Sequence, residues 1–180
     1  MLKKYFPFTI ILFTFMIISI LSIYSAEVLI GFDNYYIKQM IFYIIGFIFI
    51  LIIYFIGPSF FIKYSFYFYV FFNLLLLLLL FFGKPINEAR CWFVIPGFGT
   101  FQPSEFMKIS LILFLTKVLN DFNDRYKYKS VKLELILLLK VGAILFIPCV
   151  LTFLEPDTGN VLIYILITLI MLFISGIYIR

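Results

Sequence analysis

The chain has 180 residues, of which 65% are hydrophobic, 22% aromatic and only 13% charged, with a net charge of +5 and no histidine. Soluble domains run at roughly 45–50% apolar and about 25% charged, and too little polar surface remains here to cover the excess, so a soluble fold is excluded. The positive residues sit in short segments between apolar runs, as orientation signals do, which argues against nucleic acid as a partner. Cys91 and Cys149 are the only cysteines and lie far apart, which excludes a usual zinc site or a disulfide framework.

The composition therefore predicts an all-α integral membrane protein, read as a single transmembrane domain over residues 1–180. A hydrocarbon core about 30 Å thick needs roughly 20 apolar residues of helix, and six runs meet that need. The first, 6–24, is too long for a secretory h-region of roughly 7–15 residues and reads as a retained helix. The second, 39–56, opens on Lys38 and Gln39. The third, 64–82, contains the leucine run 74–80 and Asn73, which is expected to bond a neighbouring helix. The fourth, 104–119, is short and carries Lys108. The fifth and sixth span 133–154 and 159–179. None alternates as a barrel strand would, and lipid demands internally satisfied backbone, so helices are expected.

Lys and Arg set the expected orientation. With the N-terminus inside, the inner segments hold Lys3, Lys4, Lys63, Lys117, Arg125, Lys127, Lys129, Lys132 and Arg180, against Lys38, Lys84, Arg90 and Lys108 outside. Both termini are thus expected in the cytoplasm. Residues 57–63 read as a tight inner turn and 120–132 as a solvated inner loop. The outer loop, 83–102, carries Trp92, Phe93, Val94, Ile95 and Phe98, so it is expected at the interface or folded into the bundle mouth. Loops of this length are often functional.

The candidate chemistry lies on that outer side. Pro103 suits a first helical position, Gln102 or Ser104 is placed to satisfy free amides, and Glu105 complements the positive helix end. Lys108, three residues on and deeper, is costly there unless partnered. It reads either as an interfacial pair with Glu105, its stem snorkelling outward, or as part of a polar site facing the bundle interior. Arg90 and Trp92 read as interface anchors or as site residues. A second proline-led helix start, Glu155-Pro156-Asp157, faces the same mouth, and its carboxylates serve as caps or as ligand groups. Helix N-termini attract phosphate, but the three acidic residues repel it, so an anionic ligand needs Lys38, Arg90, Lys108 or a divalent cation.

At these residues the chain resembles the SEDS family (shape, elongation, division and sporulation). The stretches that carry the resemblance are Asn87-Glu88-Ala89-Arg90-Cys91-Trp92, then Phe101-Gln102-Pro103-Ser104-Glu105 with Lys108, then Glu155-Pro156-Asp157-Thr158-Gly159, with Lys38-Gln39 opening the second helix. Glu155 stands where the family usually has Gln, Asn160 where Thr is common, and the stretch from Trp92 to Phe101 is about one residue longer than usual. The short segment before the first helix resembles the rod-shape (RodA-like) branch more than the division (FtsW-like) branch.

The resemblance implies the N-terminal part of a bundle of about ten helices in the bacterial cytoplasmic membrane. It implies a peptidoglycan glycosyltransferase that polymerises lipid II, with a class B penicillin-binding transpeptidase as partner and membrane lipids around it. Growing-chain pyrophosphate is the leaving group, a carboxylate takes the acceptor proton, and a divalent cation, Mg or Mn, neutralises pyrophosphate charge. The family's catalytic aspartate lies in a later outer loop, so it is carried to no position here, and the sequence reads as a truncated or split product. Arg90, Trp92, Gln102, Ser104, Glu105 and Lys108 are the expected cavity residues, with Lys38, Gln39, Glu155 and Asp157 second. A lipid II transporter and a non-catalytic membrane partner of a transpeptidase are the alternatives.

Overall fold

The computed structural model describes residues 2–30, 35–83, 90–96, 99–126 and 130–176. Lys84, Asn87, Glu88, Ala89, Phe98, Lys127, Lys129 and Arg180 lie outside the described residues. In chain order the helices are α1 (Leu2–Ile30), α2 (Tyr35–Ile56), α3 (Pro58–Lys63), α4 (Ser65–Phe82), α5 (Pro103–Arg125), α6 (Val131–Leu154) and α7 (Thr158–Ile174). Between α4 and α5 stands a short hairpin, β1 (Phe93–Ile95) and β2 (Gly99–Phe101), pairing Phe93 with Phe101 and Ile95 with Gly99.

The chain divides into two compact units, Met1–Pro58 and Ser59–Arg180. In the first, α1 and α2 pack together. Glu27 Oε1 accepts from the Tyr36 backbone N–H at 2.8 Å, satisfying a free amide where α2 begins. Gln39 Nε2 reaches Ser19 Oγ at 3.5 Å, and the Tyr24 and Tyr36 rings meet edge to face at 5.5 Å. No residue of α2 is buried, and no residue of the apolar stretch 6–29 is either. Two helices apolar on every side cannot remain in water, so hydrocarbon is their solvent.

The second unit holds the core. Leu76 of α4, Met107, Leu111 and Leu115 of α5, Val141 of α6 and Tyr164 of α7 are buried together. The Tyr69 hydroxyl donates to the Ile144 carbonyl at 2.7 Å and ties α4 to α6. Asn73, expected to bond a neighbouring helix, instead turns its amide onto the Tyr69 carbonyl one turn back, at 2.8 Å. A local acceptor is always within reach of a short amide side chain on a helix.

Among the described residues four helices are long and apolar enough to cross a membrane, 6–29, α2, α4 and α6, and α7 is a shorter apolar helix of 17 residues. α5 is less apolar because its neighbours, not lipid, cover much of it: Pro103, Ser104, Met107, Ser110, Leu111, Leu115, Val118 and Leu119 are all buried. Two connecting segments, 57–63 and 120–132, differ from their sequence reading. α5 runs on through Asn120 to Arg125, where the guanidinium complements the helix C-terminus. Asn123 Nδ2 donates to the Ser175 carbonyl at 3.3 Å, which fastens that end to the end of α7. The turn at 57–63 contains α3, begun by Pro58 as its first residue.

Candidate functional site

The starts of α5 and α7 converge at one end of the second unit. Asp157 is the N-cap of α7, and its Oδ1 accepts from the Asn160 backbone N–H at 3.2 Å. Its Oδ2 accepts three more bonds, from Asn160 Nδ2 at 2.7 Å, Gln102 Nε2 at 2.9 Å and Ser104 Oγ at 3.3 Å. Asn160 Nδ2 also donates to Ser104 Oγ at 3.0 Å, closing a triangle of Ser104, Asp157 and Asn160. One turn deeper, the buried Tyr164 hydroxyl donates to the Ser104 carbonyl at 3.0 Å. The carboxylate thus accepts four hydrogen bonds, three at Oδ2 and one at Oδ1, and Asp157 braces the two helix starts.

Gln102 or Ser104 is expected from the sequence to satisfy the free amides of α5; the Ser104 hydroxyl donates to Asp157, and Gln102 does not cap either. Its backbone is extended and its side chain makes no capping bond; the amide donates across to Asp157 instead. A hydrogen bond to a carboxylate is about twice as strong as one to a neutral acceptor, which favours the longer reach.

Glu105 and Lys108 meet at 2.8 Å, three residues apart on α5, with Lys108 the more covered at 19% side-chain exposure against 52% for Glu105. The lysine stem is sheltered while its head meets the carboxylate at the rim. Arg90 is exposed and Trp92 half-buried. Gly83 ends α4 close to this segment: a Cβ there would strike the Leu79 carbonyl oxygen and come within 3.2 Å of the Arg90 carbonyl oxygen. Lys38 and Gln39 belong to the first unit, where Lys38 lies over the Tyr35 ring at 5.2 Å and Gln39 bonds Ser19.

Glu155 does not cap a helix start. It lies in the turn between α6 and α7, wholly buried, and neither carboxyl oxygen has a hydrogen-bond partner among the described residues. Burial, and secondarily Asp157, push its carboxyl up to about 8. Its backbone carbonyl accepts from Cys91 Sγ at 2.9 Å. Cys91 is itself buried, and burial pushes its thiol up to about 11. Among the described residues no three His, Cys, Asp or Glu side chains are grouped to hold a metal ion.

Asn160, Tyr164, Cys91 and Glu27 escaped the sequence reading as site or brace residues. One signal was available: Asn160, Tyr164 and Thr168 recur every four residues on α7, a polar stripe that is buried. A polar stripe on a membrane helix faces protein, because lipid gives it no partner.

The family model described as cell cycle protein, built on FtsW, RodA and SpoVE, matches residues 3–180. A probable peptidoglycan glycosyltransferase FtsW of Lactococcus lactis subsp. lactis is 38% identical over 104 residues, 52% of this chain and 24% of that protein. The peptidoglycan glycosyltransferase RodA of Treponema pallidum is 35% identical over 99 residues, 55% of this chain and 21% of that protein. The fold is that of the Thermus thermophilus rod shape determining protein RodA, with a TM-score of 0.71 at 21% identity over 93% of this chain and 54% of that one. A chain of a peptidoglycan synthase complex matches with a TM-score of 0.69 at 20% identity, over 91% of this chain and 46% of that one. The chain therefore spans about half the length of its structural relatives.

Proposed function

Since the chain belongs to the FtsW, RodA and SpoVE family of cell cycle proteins and is a multi-pass membrane protein, we propose that it is part of a peptidoglycan glycosyltransferase that polymerises lipid II, and that the joined starts of α5 and α7 position the lipid-linked head group. The observation that carries the reading is the Asp157 hub, which holds two helix N-termini side by side beside the Glu105–Lys108 pair. Helix N-termini and a lysine at the rim suit a pyrophosphate. Binding of that group there fixes the leaving group in place, which is catalysis by positioning.

In this reading Lys108 and Arg90 meet the pyrophosphate, Gln102, Ser104, Asn160 and Tyr164 keep the helix starts rigid, and Glu105 holds Lys108 in register. A base for the acceptor hydroxyl is assigned to none of them. A divalent cation, Mg or Mn, would add neutralising charge to the pyrophosphate when bound. Both termini face the cytoplasm and the site faces outward, as the Lys and Arg asymmetry supports. The likeness to a chain of a peptidoglycan synthase complex supports a class B penicillin-binding protein as partner. Relatives carrying both FtsW and RodA names match the chain.

The test is binding of fluorescent lipid II to the chain in nanodiscs. Lys108→Met and Arg90→Ala should each weaken it about tenfold or more, whereas Lys140→Met, on the exposed side of α6, should leave it unchanged. Equal binding by all variants rejects the reading. Transbilayer movement of lipid II with no polymer formed, by a native preparation, would favour a transporter.

A further inference from the structure

The two carboxyl oxygens of Glu155 are buried with no hydrogen-bond donor among the described residues, in a residue of zero exposure. An ionised carboxylate is costly in such a place unless it is paired. Asp157 from the same turn acts on it, and Glu155 in turn acts on Cys91 from the segment before β1 and on Tyr164 from α7. Each is neutral or negative and none offers a positive charge. From α6 it meets the Thr152 carbonyl, which accepts from the Glu155 and Asp157 backbone N–H groups. The ion pair on α5, Glu105–Lys108, is closed on itself. Glu155 is thus seated as a neutral acid.

The same residue clasps the segment that carries Arg90 and Trp92. Cys91 Sγ donates to the Glu155 carbonyl at 2.9 Å, and Cys91 is 2% exposed. Ionised, the Glu155 side chain would need hydrogen-bond donors, and among the described residues the closed turn supplies none.

We propose that Glu155 is a proton-held latch: its neutral carboxyl keeps the Arg90–Trp92 segment closed on the α6–α7 turn, and loss of that proton releases it. The latch stands whether or not the protein handles lipid II, because it is a property of the turn and the Cys91 segment held to it.

The sign follows from the two states. Closed, the carboxyl holds its proton up to about pH 8; open and solvated, it reverts towards 4.5. The closed state binds more protons, so it loses stability as pH rises from 4.5 towards about 8 and loses no more above that. Within the window the open fraction grows about tenfold per pH unit.

Cys91 reports the opening. In the full chain in nanodiscs with Cys149→Ser, labelling by a charged maleimide is followed at low reagent concentration between about pH 6 and 7.5. An opened thiol ionises with a pKa of about 8.5, so its own reactivity rises about tenfold per unit. Labelling should therefore rise about a hundredfold per pH unit with Glu155 present, and about tenfold per unit in Glu155→Gln, which cannot ionise. Equal slopes in the two chains overturn the latch. A second measurement needs no variant: infrared titration should show a protonated carboxyl band persisting at pH 7 and lost above about pH 8. Its absence at pH 7 also overturns the proposal.

Discussion

Gln102 and Asp157 are 55 positions apart in sequence, yet the Gln102 amide donates to Asp157 Oδ2 at 2.9 Å and joins the start of α5 to the start of α7. Neither helix could fix that junction alone. Each begins with amides that have no partner within the helix, at the same end of the unit, fewer at α5 because Pro103 has no N–H, and the shared carboxylate orients both.

Asp157→Asn should destabilise the second unit more than any change at its partners. The new amide turns a donor towards at least one of Gln102, Ser104 and Asn160, leaving buried donors opposed. We expect a loss of about 1–3 kcal/mol. Gln102→Ala removes a single bond and should lose about 1 kcal/mol. The two changes together should cost less than their sum, since they share a partner. Thermal unfolding in detergent measures all three; strict additivity would mean the bond is not formed.

Tyr164→Phe tests the deeper tie. The ring keeps its place in the core and only the bond to the Ser104 carbonyl is lost. The expected loss is about 0.5–1.5 kcal/mol, read as a lower unfolding temperature. A neutral result would place the hydroxyl's worth at zero.

Glu105 and Lys108 should matter to function more than to folding. An exposed ion pair contributes at most about 1 kcal/mol, and the Glu105 side chain is 52% exposed. A double change, Glu105→Gln with Lys108→Met, leaves no unpaired charge. It should insert at normal abundance and fail to support glycan synthesis in the native protein. Wild-type synthesis by the double variant would reduce the pair to a brace.

Two glycines give opposite expectations. Gly83→Ala drives a methyl group into the Leu79 and Arg90 carbonyl oxygens, and overpacking of this kind costs about 1–3 kcal/mol. Gly142→Ala in α6 meets nothing within 4 Å and should leave the unfolding temperature unchanged or higher. Measured side by side, the pair distinguishes a close backbone approach from a mere change of residue size.

The orientation has its own probe. Thr100→Cys, exposed in β2, should react with an impermeant thiol reagent on intact cells, and Ser130→Cys, exposed at the start of α6, should not. The reverse pattern would invert the topology. Cys91 is a poor probe for this purpose, since it is buried against the Glu155 carbonyl.

Sequence alone determined the solvent and the elements of this protein. Runs of apolar residues long enough to span hydrocarbon leave one outcome for a backbone that must satisfy itself, and α2, α4 and α6 lie where those runs lie. Pro103 and Asp157 announced their helix starts by local chemistry, and Glu105 with Lys108 announced a pair by a spacing of three. Only the tertiary structure decided which polar groups meet. Gln102 reads locally as a cap, Asn73 as a cross-helix donor and Glu155 as one more helix-start carboxylate, and each does something else. A side chain's partner at a distance of 55 residues depends on how the helices pack, and periodicity along one helix carries no record of it. Burial is equally non-local: Glu155 is wholly buried, and its carbonyl is met by Cys91, 64 positions away.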